Sequence, residues 1–580
     1  MTVQNSEIRD IFEQVADFLE IRGENEFRVR AYREGARIVG GLSENVEDMV
    51  REGRDLTRFR GIGKDLAAKI RQIVETGSLE QLEDLRKNMS PGLLEMMEVP
   101  GVGPKRVAAL YNELGVENVD ELEEAASEGR VAELEGFGEK TQQGILEAIR
   151  EDKKKKQAEG EGRILLADAE PFAKNLREHI AALDKAKDVT VAGSFRRGKE
   201  TVGDLDILAT CKRGGERELM DAFTTHEDVD EVLSQGKTKS SVRLRSGLQV
   251  DLRIVPQVSY GAALHYFTGS KAHNIAVRKL AMERGYKVNE YGVHDDDQRI
   301  AGKTEKEVYA TVDLPYIEPE LRENLGEIEA AREGKLPDLV EARDIRGDLH
   351  AHTNRTDGRN TLAEMGRAAR DLGYEYLAIT EHSQKVTMAR GLDEKEVRKH
   401  LERIDQANDD LDGVTLLKGM EVDILKDGSL DLPDSILKEL DFTVCSVHYH
   451  QKLPGDRQTE RVIKAMDNRY MSILGHPTGR LMGERDAMDI DLDRIIHAAA
   501  DKDVVIELNS HPERLDLPSN YCKAAAELGV RIAISTDAHS TDNLKLMRLG
   551  VTQARRGWLQ PGDVVNTRPL KKLLELLKRS

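Results

Sequence analysis

The sequence predicts a chain of several domains: an all-α N-terminal region, an α+β middle and a C-terminal α/β barrel of short βα units. Three observations carry that expectation. Up to about residue 150, apolar residues recur at i, i+3 and i+4, the spacing of one helix face. The stretch EDKKKKQAEGEG, residues 151–162, is charged and Gly-bearing and reads as a linker. After it come strand-like runs (VTVAGSF, DLDILAT, LQVDLRIV). Beyond residue 345 short strands alternate with helices: LAIT, DFTVCSV, MSILGHP, VVIELN and RIAIST.

Composition sets outer bounds. A chain of 580 residues has room for about four ordinary domains. No apolar run reaches eighteen residues, which argues against a membrane span, and the N-terminus lacks a signal peptide's apolar centre. Three cysteines, at 211, 445 and 522, are too scattered for a disulfide framework, so a reducing, cytoplasmic setting is expected. The net charge of −20 argues against nucleic acid only weakly, because binding depends on local basic patches and on metals. Ten of the fifteen histidines fall between His350 and His539, which marks one region as built around imidazole.

The helical region, expected as domains 1–88 and 89–155, contains a repeat. LTRFRGIGKDLAAKI, MEVPGVGPKRVAAL and LEGFGEKTQQGI each place Gly-apolar-Gly before a helix: Gly61 and Gly63, Gly101 and Gly103, Gly136 and Gly138. Glycines permit the tight turn, and the following helix offers free N–H groups and its positive end to a phosphate. Lys64 follows the first loop and Lys105 and Arg106 the second, whereas Glu139 sits beside the third. The segments resemble helix-hairpin-helix motifs, which grip DNA phosphates without reading bases.

In the middle region, TVGDLDILATC sets Asp204 and Asp206 two residues apart in an apolar strand. Strand geometry turns both carboxylates to one face, roughly 6.5–7 Å apart, where they repel by about 2–3 kcal/mol at an effective dielectric near 20. A divalent cation between them relieves that cost, and LQVDLRIV adds Asp251. Hard oxygen ligands at this density suit Mg²⁺ or Mn²⁺, and two such ions would support phosphoryl transfer. Just upstream, GSFRRGKETVG supplies Gly193, Ser194, Arg197 and Gly203, suited to a triphosphate.

GSFRRG, DLD, Asp251, YFTGS at 266–270 and NEYG at 289–292 together resemble the family X DNA polymerases, the group containing DNA polymerase beta. The resemblance covers residues 1 to about 316. It implies a nucleotidyltransferase palm at 163–258 and a thumb-like, nascent-base-pair subdomain at 259–318. By it Asp204, Asp206 and Asp251 bind two catalytic metals, and Asp251 activates the primer 3′-hydroxyl. Ser194, Arg197 and Gly203 would contact the incoming triphosphate, and Tyr266, Phe267 and Gly269 would line the nucleotide pocket. Asn274 and Arg278 match positions that touch the nascent pair and the template. Lys69 matches the family's Schiff-base lysine for deoxyribose-phosphate lyase chemistry, although Asp65 stands where lyase-active relatives carry a basic residue.

From 345 to 580, candidate ligands recur at or just beyond strand ends. They are His350 and His352 in DLHAHTNRTDG, with Asp357 beyond them, then His382, Glu421, His448, His476, Asp537 and His539. Nine such residues on successive strands converge on one barrel mouth, where barrel folds place their chemistry. Their order resembles the PHP (polymerase and histidinol phosphatase) domain, a distorted barrel that binds up to three metals for phosphoester hydrolysis. By the resemblance His350, His352, Glu421 and Asp537 hold one ion. Glu421 bridges to a second held by His448 and His476, and Asp357, His382 and His539 hold the third. Mixed ligands leave Zn²⁺, Mn²⁺ and Fe²⁺ open. Glu381 and His511 depart from the family pattern without removing a ligand, and His400, His450 and His497 read as non-ligands.

Family X polymerases fused to a PHP domain are the bacterial and archaeal form. The resemblance therefore implies a monomeric, gap-filling repair polymerase with its own 3′→5′ nuclease, acting on gapped or nicked DNA and deoxynucleoside triphosphates. A template-independent nucleotidyltransferase and a DNA-end scaffold with decayed sites are the rivals. YFTGS with three DNA-gripping repeats opposes the first, and the complete ligand sets oppose the second.

Overall fold

The computed structural model describes residues 5–149, apart from 41, 43–45, 52, 60, 77, 88–90, 98, 100 and 135, and residues 163–578, apart from 297. The linker expected at 151–162 lies outside the described residues. The chain forms two compact units, 1–161 and 162–580.

The first unit is all helix. Asn5–Ile21 and Glu26–Gly40 pack on Lys64–Thr76 through Phe12, Tyr32, Leu66 and Ile70; Pro91–Met97, Pro104–Leu114 and Val119–Ser127 follow, with a last helix at 139–149. The repeat read from the sequence is one backbone device used three times. Gly61, Gly101 and Gly136 have φ of 108°, 87° and 83°, the left-handed region that glycine enters without strain. The apolar residue after each, Ile62, Val102 or Phe137, is buried and donates its N–H to the carbonyl three residues back. Gly63, Gly103 and Gly138 then accept from residues four ahead and start the next helix. An apolar plug thus anchors each turn and leaves its glycines at the surface.

In the second unit, five strands form the palm sheet in the order Ala186–Val191, Asp204–Cys211, Gln249–Ile254, Lys239–Leu244, Val229–Gln235. Helices Leu166–Ala181 and Glu216–Thr224 pack against it through Leu176, Ile180, Leu219 and Phe223. Asp204–Cys211 and Gln249–Ile254 run parallel, and their register sets Asp206 opposite Asp251. Next come helices Tyr260–Thr268 and Lys271–Glu283, the latter capped by Ser270, and an antiparallel sheet of Tyr286–Asn289, Gly292–Asp295 and Gln298–Ala301. The core of this part continues past residue 318 through Leu321, Ile328 and Leu339.

The C-terminal part is the expected barrel, and it is distorted. Its strands form two parallel sheets, Gly347–Asp348, Tyr376–Ile379, Thr415–Lys418 and Glu421–Asp423, Val444–Ser446, Ile473–Leu474, Val505–Asn509, Ile532–Ser535. Single bridges, Ala351 to Ala538 and His382 to Glu421, join the two sheets into a ring. Strands such as Tyr376–Ile379 are buried on both faces, which is why they read as continuous apolar runs. Capping boxes, Thr361 with Glu364 and Asp393 with Glu396, start the helices Leu362–Asp371 and Glu394–Asp410.

Palm and barrel share a seam. Leu515 and Leu549 of the barrel lie in the palm's apolar core, packed with Met482 and Leu546. Glu200 accepts from Arg480 Nη2 at 2.8 Å and Gln553 Nε2 at 2.6 Å. Arg556 Nη1 donates to the Arg197 carbonyl at 2.9 Å, and Gly198 leaves no room for a Cβ against Thr552.

Candidate metal centres

In the barrel all nine expected ligands meet at one mouth, with Glu421 at their centre. Its Oε2 lies 2.9 Å from His382 Nδ1, 3.4 Å from His350 Nε2 and 3.5 Å from His352 Nε2. Its Oε1 lies 3.0 Å from His476 Nε2 and 3.2 Å from His448 Nε2. Asp537 Oδ1 sits 3.3 Å from His352 Nε2, and Asp357 Oδ2 is 3.2 and 3.3 Å from the Nε2 atoms of His382 and His539. Three groups have ligand atoms within 4.8 Å of one another: His352, Asp357, His382 and His539; His350, His352 and Asp537; His382, Glu421 and His448. The grouping differs from the expected sets in several respects: His352 belongs to two groups, Glu421 joins His382 and His448 rather than His350, His352 and Asp537, and His476 belongs to none of the three. His382 presents one ring nitrogen to Asp357 and the other to Glu421, and so stands between two groups.

The donor set fits cations. Both His352 nitrogens and His476 Nδ1 are buried without hydrogen-bond partners. Such orphaned atoms are expensive unless an ion takes their lone pairs. Burial would raise the Glu421 carboxyl, but His382, His448 and His350 hold it well below the usual range. Burial opposes charge on His382 and His539, yet facing carboxylates raise them to about 10 and about 9. Burial and the charges of His539 and His382 push His352 down to about 4.

A second layer fixes the imidazoles. Glu507 accepts from His350 Nδ1 at 2.7 Å and from the His476 N–H at 2.6 Å. Asp423 accepts from His448 Nδ1 at 3.1 Å and its N–H at 3.0 Å, and the Asp537 carbonyl takes His539 Nδ1 at 2.8 Å. Glu381 is buried, raised to about 7 by burial, and accepts from the hydroxyls of Thr353 and Thr356, tying down the loop that carries Asp357. Sequence reasoning missed Glu507 and Asp423. The signal was available: an acid inside an apolar strand, two residues from a ligand in Glu421–Val422–Asp423, is the same pattern that exposed Asp204 and Asp206. His400, His450, His497 and His511 belong to none of the three groups.

The palm acids are less gathered. Among the described residues they form no group with ligand atoms within 4.8 Å. Asp251 is turned to Lys239 Nζ at 3.0 Å and Arg253 Nη2 at 3.5 Å. Burial would raise its carboxyl, but hydrogen bonds from Ser241, Lys239 and Gln249 lower it. Burial and the charges of Asp204 and Asp251 push Asp206 up to about 6, the surplus of negative charge that a divalent cation would relieve. Gly193, with φ of 65°, lets the turn pass close to Asp206; a Cβ there would lie 3.1 Å from its Oδ2.

The expected nucleotide contacts divide. Ser194 lies on the turn after Gly193, Gly203 packs against Arg163, and Arg278 is exposed. Tyr266 and Phe267 meet edge to face at 5.1 Å, with the Arg253 guanidinium 4.4 Å over the Phe267 ring. Asn274 donates to the Tyr266 carbonyl at 2.8 Å and leaves its Oδ1 unpartnered. Arg197, expected to contact the triphosphate, is engaged with neighbouring groups. Beside Gly269, it donates to Glu323 Oε1 at 3.0 Å and to the Thr268 carbonyl, because an acid 126 residues away packs beside it.

In the helical unit Lys64 is exposed and Lys105 is 84 % exposed, both following their glycine turns. Lys69 donates to Asp65 Oδ2 at 2.5 Å; burial would lower its pKa, but Asp65 and the Tyr32 hydroxyl raise it, so the amine stays protonated.

Comparison with known proteins follows the same order along the chain. Residues 3–79 and 93–151 match helix-hairpin-helix families, 163–253 the DNA polymerase beta palm, 263–323 the DNA polymerase beta thumb and 348–511 the PHP domain. The "DNA polymerase/3'-5' exonuclease PolX" of Bacillus subtilis (strain 168) is 36 % identical over 582 residues, covering 100 % of both chains. A probable phosphatase of Thermoanaerobacter sp. (strain X514) is 30 % identical over 242 residues, 40 % of this chain and 94 % of its own.

Proposed function

We propose a repair function from one premise: this chain belongs to the PolX family, family X DNA polymerases that carry a C-terminal PHP domain. In this reading the palm fills short gaps on a template and the barrel removes nucleotides from the 3′ end. The observation that supports it is the contrast between three acids on adjacent palm strands and the imidazoles gathered with acids in the barrel.

Divalent ions, Mg²⁺ or Mn²⁺ in the palm and Zn²⁺, Mn²⁺ or Fe²⁺ in the barrel, would stabilise charge on the attacking and leaving oxygens of phosphoryl transfer. The rest falls to the chain. Asp204, Asp206 and Asp251 would hold the palm ions, and Asp251 would accept the primer hydroxyl's proton. Ser194 and the Gly193 turn receive the triphosphate; Tyr266, Phe267 and Asn274 hold the base and sugar. The glycine turns of the helical unit grip duplex phosphates on either side of a gap. In the barrel Glu421 and the six histidines would hold ions, with Glu507 and Asp423 fixing the rings of His350 and His448. No helix among the described residues is long and apolar enough to cross a membrane. A monomer working in the cytoplasm, where its DNA lies, is the setting we assign.

The test is a double dissociation on a gapped duplex and a 3′-labelled strand. Asp206→Asn should abolish gap filling and spare degradation, and His350→Ala with His352→Ala should do the reverse. One variant silencing both activities in a folded protein, or neither barrel substitution touching degradation, would overturn the reading.

A further inference from the structure

The barrel carries a cavity whose lining includes none of the nine candidate ligands. Its volume is about 640 Å³, and it lies between the helices Leu362–Asp371 and Glu394–Asp410. One wall is the loop after His352, which gives Asp357 to the ligand cluster and Thr353, Asn354 and Arg355 to the cavity.

The lining divides by chemistry. Leu362, Ala363, Ala407 and Leu411 form an apolar side. Arg355, Arg367 and Arg403 bring three guanidinium groups, against a single lining acid, Asp410. Arg355 is held by Glu396 at 2.6 Å, while Arg367 and Arg403 are exposed. Asn354 and Gln406 add neutral amides. At the back stands His400, 1 % exposed, with neither ring nitrogen hydrogen-bonded; its nearest acid oxygen is Glu381 Oε1, 3.8 Å from Nε2. A buried imidazole without partners is costly, and a polar ligand would supply what it lacks. Burial and the charges of Arg355 and Arg403 lower His400 to about 4, so the ring is neutral and offers one donor and one acceptor.

The volume falls within the roughly 300–1,000 Å³ of small-ligand sites and is far larger than a lone phosphate needs. An apolar wall facing guanidinium groups suits a flat base with an attached phosphate, the combination single-stranded DNA presents. We propose that this cavity holds one nucleotide of the strand being degraded, phosphate against Arg367 and Arg403, base against Leu362 and Leu411, polar edges at Asn354, Gln406 and His400. The proposal rests on the reading of the barrel as a DNA phosphoesterase. It assigns this flank the task of holding the strand while the ligand cluster cleaves it. Free nucleotide product has the same chemistry and is the other source of such a ligand.

The test uses the full chain. Arg367→Glu with Arg403→Glu changes two exposed residues, and Ala363→Trp fills the cavity without altering charge. Degradation of the oligonucleotide (dT)6 should show a KM raised about tenfold or more in both variants. Hydrolysis of bis(p-nitrophenyl) phosphate, which lacks a base and a second phosphate, should keep its kcat, and gap filling should be unchanged. Binding of dTMP and of (dT)6 to chelator-treated protein, measured by calorimetry, separates the sources. Loss for both supports the strand site; loss for dTMP alone with an unchanged (dT)6 KM assigns the cavity to free nucleotide and overturns the strand role. Unchanged KM and binding in both variants overturns the site altogether. A wild type that hydrolyses neither substrate would sink the phosphoesterase reading instead, leaving dTMP binding to decide the cavity.

Discussion

In the barrel, five imidazoles surround the Glu421 carboxylate. In the palm, Asp206 faces Asp251 across two parallel strands, with Asp204 beside it and Lys239 and Arg253 against Asp251. Opposite charges let the barrel centre assemble before any metal arrives, because protons on His382 and His539 stand in for it. Like charges hold the palm centre apart until a cation joins it. The barrel thus gathers its acids and imidazoles closely, whereas the palm acids form no such group among the described residues.

The largest expected effect breaks the barrel at its hub. Glu421→Gln removes the carboxylate that five histidines share, and nuclease activity should fall by about 10³-fold or more while gap filling persists. A variant retaining most of its nuclease activity would show that the hub is not essential. Next come the supporting acids. Asp423→Asn or Glu507→Gln should weaken ion affinity by about 10–100-fold, read by competition with a chromogenic chelator. The palm variant Asp206→Asn should leave that affinity untouched.

The pH dependence should separate the centres further. His382 and His539, raised to about 10 and about 9, are protonated near neutrality without metal, so loading the barrel must release protons. Affinity should therefore climb as pH rises from 6 to 9, by about tenfold per unit for each proton displaced. A flat profile would mean that these rings are neutral before loading. A smaller effect concerns Arg197. Glu323→Gln frees the guanidinium for a phosphate, and the KM for nucleotide should drop by about threefold. A raised KM would mean that Glu323 positions the arginine rather than withholding it. The smallest effect is at Lys69: borohydride on an incised abasic duplex should trap no adduct that Lys69→Ala loses.

Much of this was legible in the sequence, for a physical reason. Polar groups gathered at a site must interrupt apolar strands, so Asp204, Asp206, His350 and Glu421 stood out against their neighbours. The glycine turns showed through because only glycine takes the φ of residues 61, 101 and 136 so readily. What stayed hidden was long-range pairing. The Arg197 bond to Glu323 joins positions 126 residues apart, and nothing local in GSFRRG announces it. Glu507 carried a local signal but supports ligands on other strands, so its role appears only once the barrel closes.

The seam between palm and barrel bears on how this chain can be cut. Truncation after residue 340 would follow the motif boundaries, yet it would strip Leu515 and Leu549 from the palm's interior and leave Glu200 without Arg480 and Gln553. A polymerase fragment made that way would bare an apolar wall to water and invite aggregation. Anyone wanting the polymerase half alone would have to refinish that wall with polar side chains, much as an orphaned subunit is resurfaced. For shortening the chain, the unit of inheritance is the pair.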